Sequence, residues 1–258
     1  MNKLYYMDAG SLSEMEKNLA QTKEGFSLGD FINQRETARI DEQGIAYIDV
    51  RGGLIDDAPN IYKELGNTDY RDIRGEIAGA MAEGAKGIIF TVDSPGGTVA
   101  GAEETAKMIE ALPIPSVTYY HGLGCSAAYK VFCSATAIVA APSAEVGNIG
   151  TILTYQDASK YMEKLGVTTH SITNEGADLK STFHEMPLTA EQEAFLQESI
   201  NEAGEAFKNH VQSNRPGISE EVFKAGWYKG EKALELGLID HVGGLMDARE
   251  ILQATINA

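Results

Sequence analysis

The firmest pattern along the chain begins at Ile45-Ala46-Tyr47-Ile48-Asp49-Val50, a β-branched and aromatic run stopped by Gly52-Gly53, and it predicts a strand. Tyr70 to Gly84 carries Ile73, Ile77 and Met81 at helical spacing. Gly87 to Val92 is a short apolar run suited to a strand buried on both faces, and it stops at Asp93-Ser94-Pro95-Gly96-Gly97. A helix is expected over 99–112, with Val99, Ala102, Ala106 and Ile109 on one face. The unit then repeats in kind: a strand at 116–120, a turn from His121 to Gly124, a helix of small residues from Cys125 to Ala135, and strands at 137–141 and 149–154. A short helix at 159–165 and a strand at 167–173 follow. The remainder reads as helical, chiefly Thr189 to Asn214, where Thr189 is the N-cap and Gln192 closes a capping box. Shorter helices are expected at 219–225, 229–236 and 245–257. Strands alternating with helices imply an α/β fold with a mostly parallel sheet.

The 258 residues suffice to bury a core without staples. The division expected is an N-terminal extension at 1–40, an arm or a propeptide, ahead of one domain at 41–258. Segment 11–28 of that extension carries scattered charges that allow a helix without a core face. With 21 basic against 38 acidic residues the net charge is −17, which repels phosphate backbones and anionic lipid, so nucleic acid is not an expected partner. No stretch approaches a membrane span, and the first residues lack the apolar run of a signal peptide, so a cytoplasmic protein is expected. Cys125 and Cys133, eight residues apart on one expected helix, would lie about 12 Å apart, too far for a disulfide.

Two glycine-rich turns each follow a strand and precede a helix, the edge where open α/β sheets bind ligands. In Asp93-Ser94-Pro95-Gly96-Gly97 the glycines permit close backbone approach, and the N–H groups of the helix start favour negative charge, as an oxyanion hole requires. Read alone, this is a tight turn with a helix start. In Gly122-Leu123-Gly124-Cys125-Ser126-Ala127-Ala128 a serine opens a helix among neighbours without bulk. Read alone, Ser126 is an N-cap. The G-x-S-x-G elbow is not matched, because Ala128 stands at the second glycine position.

Together the two turns are far more specific. Thr91-Val92-Asp93-Ser94-Pro95-Gly96-Gly97, followed about thirty residues later by Gly124-Cys125-Ser126-Ala127-Ala128-Tyr129, resembles the signal peptide peptidase A family of serine peptidases. Ala141 to Gly150 is similar to that family's strand-loop segment, and Tyr228 to Asp240 to its G-x-x-A-x-x-x-G-L-(I/V)-D helix and turn, so the likeness spans roughly 40–250. The resemblance implies a ClpP/crotonase-like superhelix of repeated ββα units with a helical C-terminal region, assembled as a homo-oligomeric ring. It implies a Ser-Lys dyad acting on a polypeptide substrate without cofactor or metal. Carried over residue by residue, Ser126 is the nucleophile, Gly97 and Ala127 supply oxyanion N–H groups, and Ser94, Gly96 and Asn148 support them. Lys180, before Ser181, is the base, although one extra residue separates it from Gly176. Asn148 stands where the family has a serine that orients the lysine, and Asn can both donate and accept. Short members of this kind in bacteriophages process capsid precursors.

An ordinary lysine, with pKa ~10.4, is a base at neutral pH only when desolvated. That demand falls on Lys180. Lys130, one helical turn beyond Ser126, is expected to be solvated or paired. Among five histidines only His184 is a rival base; His121 is expected to line the cleft, and His170, His210 and His241 to lie on the surface. Thr151 stands where ClpP has its triad histidine. No metal-ligand spacing or phosphate loop occurs in the sequence. An extended substrate has an edge to pair with near Gly53 or Gly96-Gly97. Two alternatives on the same fold are a crotonase-type acyl-CoA enzyme and an inactive assembly scaffold.

Overall fold

The computed structural model describes residues 5–7, 38–168, 170–180 and 187–258. The expected helix at 11–28, His184 and Ser181 lie outside the described residues. The principal sheet is built on β3 (Ile45–Arg51), β6 (Gly87–Ser94), β8 (Ser116–Cys125) and β9 (Ala137–Ala140), all parallel, as the long apolar runs require. Its borders are β2 (Arg39–Ile40), antiparallel to β3; β10 (Glu145–Gly147), parallel to the far half of β8; β11 (Trp227–Lys229), antiparallel to β10; and β12 (His241–Val242), parallel to β9.

A second, smaller sheet has the order β1 (Tyr5–Met7), β7 (Gly96–Thr98), β4 (Leu54–Ile55), β5 (Thr68–Asp69). Strands β3 and β4 precede a helix at Tyr70–Ala82, and β6 and β7 precede one at Ala102–Glu110, which is the expected ββα order. We number the helices α1 (Asn60–Glu64), α2 (Tyr70–Ala82), α3 (Ala102–Glu110), α4 (Ala127–Phe132), α5 (Ser159–Lys164), α6 (Ala190–Asn214), α7 (Gly230–Glu235) and α8 (Leu245–Ile256).

Both faces of the principal sheet are covered. Ala46, Ile48, Val50, Ile88, Phe90 and Val92 face the helices α2 to α4, through Ile73, Ile77, Ala102, Ile109 and Phe132. Ile45, Ile89, Val117 and Val139 face Ala248 and Leu252 of α8. This two-sided burial accounts for unbroken apolar runs rather than alternation.

Three expectations are corrected. His121 to Gly124 is not a turn but the continuation of β8. Its register against β6 moves from Val92–Tyr120 to Ser94–Gly124, so two extra residues bulge out of β8. The Asp93 carboxylate accepts the Leu123 N–H freed there, at 2.8 Å. The strand expected at 149–154 lies earlier, at Glu145–Gly147, because Gly147 (φ 123°) and Asn148 (φ 54°) turn the chain out of the extended region. The described residues of 167–173 form no strand. The long C-terminal helix starts as expected: the Thr189 hydroxyl accepts the Gln192 N–H at 3.2 Å, and the Gln192 side chain accepts the Thr189 N–H at 3.0 Å.

Candidate active site

The sheet brings the two glycine-rich turns together. Ser94 lies opposite Gly124 across β6 and β8, and β7 packs on α4. Ser94, fully buried, donates to the Gly52 carbonyl at 2.6 Å and accepts the Gly96 N–H at 3.2 Å. It thereby ties the end of β3 to the start of β7. Gly97 has no room for a side chain: a Cβ there would lie 1.8 Å from the Leu54 carbonyl oxygen. Gly124 likewise packs on the Tyr120 ring, 2.3 Å from where a Cβ would sit.

Ser126 joins β8 to α4 with φ 55° and ψ −122°, a backbone conformation that a residue with a side chain avoids. Its N–H donates to the Gly147 carbonyl at 2.8 Å, and its carbonyl accepts the Lys130 N–H at 2.9 Å, so the turn is held on both sides. The hydroxyl does not cap α4. It is fully buried and has no hydrogen-bond partner among the described residues. This is a strained strand-to-helix turn, reached without the second glycine of the G-x-S-x-G pattern. Ala127 and Ala128, both fully buried, fill the space where bulk would not fit.

Asn148 follows the carbonyl that holds Ser126. Asn is among the few side-chain-bearing residues that accept a left-handed backbone readily. Its N–H donates to Gly226 at 2.7 Å and its Nδ2 to Ala225 at 3.4 Å.

Lys180 is not brought to Ser126 within the single chain. It is exposed, at the end of a loop whose Asp178 carbonyl accepts a hydrogen bond from the Gln192 side chain at 2.8 Å. Lys130, by contrast, is buried, with Nζ 2.9 Å from Glu103 Oε2 and 5.9 Å from the Phe207 ring. It is therefore paired, as one of the two expected roles had it, but not solvated. Burial would raise the Glu103 carboxyl. The hydrogen bonds and charges of Lys130 and Lys107 outweigh burial and hold it below its ordinary value. His121 is exposed. His210 is not on the surface: it is half-buried, 3.0 Å from the Ser134 hydroxyl, and burial followed by the Lys130 charge lowers its pKa. Cys125 and Cys133 are buried and not disulfide-bonded, and burial pushes the Cys133 thiol up to about 12. Sequence reasoning missed β1, which lies on β7 and α4; three residues give no periodic signal.

A parallel α/β sheet with a strained, buried serine beside a glycine strand is a scaffold that can carry several chemistries, and comparison with known proteins narrows them. The model of peptidase family S49 matches residues 110–258, more than half the chain, and the protein belongs to that family. A chain of Methanocaldococcus jannaschii named as a protease is 34% identical over 68% of this chain and 58% of its own length. Capsid assembly protease C of Escherichia phage lambda is 25% identical over 83% of this chain and 50% of its own. The chain thus spans about half the length of these curated relatives. The solved 1510-N membrane-bound stomatin-specific protease, a mutant in complex with a substrate peptide, aligns with TM-score 0.48 and 18% identity over 80% of this chain and 77% of its own. No helix among the described residues is long and apolar enough to cross a membrane, and no group of three or more His, Cys, Asp or Glu there could hold a metal ion.

Proposed function

We propose that the protein is a serine endopeptidase in which Ser126 attacks a peptide carbonyl and Lys180, neutral, takes its proton. The observation that carries this reading is the Ser126 turn: strained, uncapped, buried and unpartnered. A structural N-cap would have spent its hydroxyl on the helix. The tetrahedral oxyanion is held by the N–H groups of Gly97 and Ala127. Collapse returns the proton from Lys180 to the leaving amine and leaves an ester on Ser126. Water, deprotonated by Lys180, then cleaves the ester and frees the acid.

The base must be shut away from solvent to act, and the single chain leaves Lys180 exposed. Closure over Ser126 is therefore assigned to assembly, a homo-oligomeric ring in which a neighbouring copy covers the 170–180 loop. The substrate is an extended polypeptide. The lambda relative, matched over most of this chain, favours capsid precursors as its source.

The test is hydrolysis of an unstructured protein together with labelling by a fluorophosphonate. Ser126→Ala abolishes both, and Lys180→Ala lowers the hydrolysis rate by about 10²–10⁴-fold. Retained hydrolysis in Ser126→Ala would overturn the assignment. Absence of labelling and hydrolysis in the wild type and also in variants with the β7 edge freed would favour the assembly scaffold, and turnover of an acyl-CoA without labelling would favour a crotonase-type enzyme.

A further inference from the structure

Ser126 is fully buried, so no polypeptide reaches it while its present cover stays in place. Among the elements around it, β1 alone comes from the far N-terminus, ahead of every other described strand. It runs antiparallel to β7, with Tyr5 opposite Thr98, Tyr6 opposite Gly97 and Met7 opposite Gly96. It also lies against α4, the helix that Ser126 opens. The other edge of β7 is filled by β4, where Leu54 pairs with Gly97. Taking β1 away would leave β7 a bare edge with Gly97 at its centre.

That edge is the one a substrate strand needs. A peptide that places its carbonyl at the Gly97 N–H has only this side of β7 to run along, because β4 holds the other. We propose that residues 5–7 occupy the place of the substrate strand, so that the chain carries its own pseudosubstrate and keeps Ser126 closed until that strand is displaced. This rests on the peptidase reading of Ser126. The hold is reversible by construction: three residues of ladder on a sheet edge form a weak attachment. It is also independent of protein concentration, because the occupant is part of the chain. An incoming extended polypeptide competes for the same backbone groups, so activation needs no change in the principal sheet.

The experiment uses the full chain with Tyr6→Pro and, separately, Met7→Pro. Neighbouring strand residues direct their N–H groups to opposite edges, so one of the two prolines removes a donor to β7, while both resist strand pairing in β1, an edge strand outside the principal sheet. The readout is the rate at which a fluorophosphonate labels Ser126. The expected result is a rise of about tenfold or more in both variants, a tenfold change corresponding to 1.4 kcal/mol of lost pairing. A synthetic peptide of residues 1–10, added to either variant, should restore slow labelling. If both folded variants and the wild type label at one rate, and the peptide slows none of them, the pseudosubstrate is wrong while the peptidase reading stands. If no form is labelled and none hydrolyses an unstructured protein, the peptidase reading fails and this proposal falls with it.

Discussion

Replacing Ser126 should stabilise the protein while destroying its activity. The wild-type residue carries two separate penalties. Its hydroxyl is buried with no partner among the described residues, which in proteins costs about 1–3 kcal/mol. Its backbone sits at φ 55°, ψ −122°, a conformation that costs a further ~1–3 kcal/mol for a residue with a Cβ. Ser126→Ala removes the first penalty and keeps the second, so its stability should rise by about 1–3 kcal/mol. Ser126→Gly removes both and gives back about 0.5–1 kcal/mol to the freer unfolded chain, so it should be the more stable of the two. For a chain of this size each kcal/mol moves Tm by about 2–4 °C. Calorimetry and urea titration of the three proteins, all in one assembly state, test the order glycine, alanine, wild type. If alanine and glycine both fall below wild type, the hydroxyl is satisfied and the turn unstrained, and the argument that this serine is held ready for chemistry loses its basis.

Gly97→Ala should lower hydrolysis by about 10²-fold, because a Cβ 1.8 Å from the Leu54 carbonyl forces β7 to shift by about an ångström at the proposed oxyanion donor; unchanged kinetics would remove Gly97 from the site. Lys130→Met should leave hydrolysis within a few-fold of wild type and cost no more than about 2 kcal/mol, because the Glu103 carboxylate it leaves behind is partly exposed and keeps its pair with Lys107; an inactive but folded variant would make Lys130 the base. Asp240 forms two bonds to Arg215, at 2.8 and 2.7 Å, and accepts the Ile138 N–H at 2.8 Å. Burial opposes its charge, but these partners hold its carboxyl below the ordinary value. Its stabilisation is therefore complete above the unfolded carboxylate range near pH 4 and is lost as pH falls through the lower folded value. Asp240→Asn should cost about 2–3 kcal/mol at pH 7 in urea titration, and the gap to wild type should narrow below pH 4; a constant gap would refute the assignment.

The principal sheet was legible because two-sided burial leaves a residue-level trace: Ile88-Ile89-Phe90 has no polar alternation to disguise it. The second sheet left none. Leu54–Ile55, Thr68–Asp69 and Gly96–Thr98 are too short for a period, and their pairing is decided by residues far away in sequence. Reading Gly122 as a turn residue failed for a definite reason. Its missing Cβ makes room for the Asp93 carboxylate, which would lie 2.2 Å from such an atom, and so serves a bulge rather than a reversal. Ser126 and Gly97 were found as neighbours through a family likeness. The strain at Ser126 and the close packing at Gly97 were not legible, because they depend on Gly147 and Leu54.

The two lysines weighed as bases show why burial alone does not make one. Lys130 has lost its water, the condition demanded of a catalytic amine, yet it faces Glu103 at 2.9 Å. Its nitrogen is committed to that carboxylate and not to Ser126, whose hydroxyl has no hydrogen-bond partner among the described residues. The pair on α3 and α4 therefore acts to fix the helix that presents Ser126. Lys180 stands in the opposite condition, unburied in the single chain. An amine of that kind can be switched: it stays in water until a partner surface covers it. With β1 over the glycine strand, the peptidase would then have two separate locks, one on the substrate edge and one on the base. Removing the first exposes Ser126 to a small phosphonate, but hydrolysis would still require the second. The Tyr6→Pro protein, held as a monomer by dilution, should therefore label faster than wild type yet hydrolyse little, and hydrolysis should return with concentration. Rapid hydrolysis by a proven monomer would show that the base comes from within one chain.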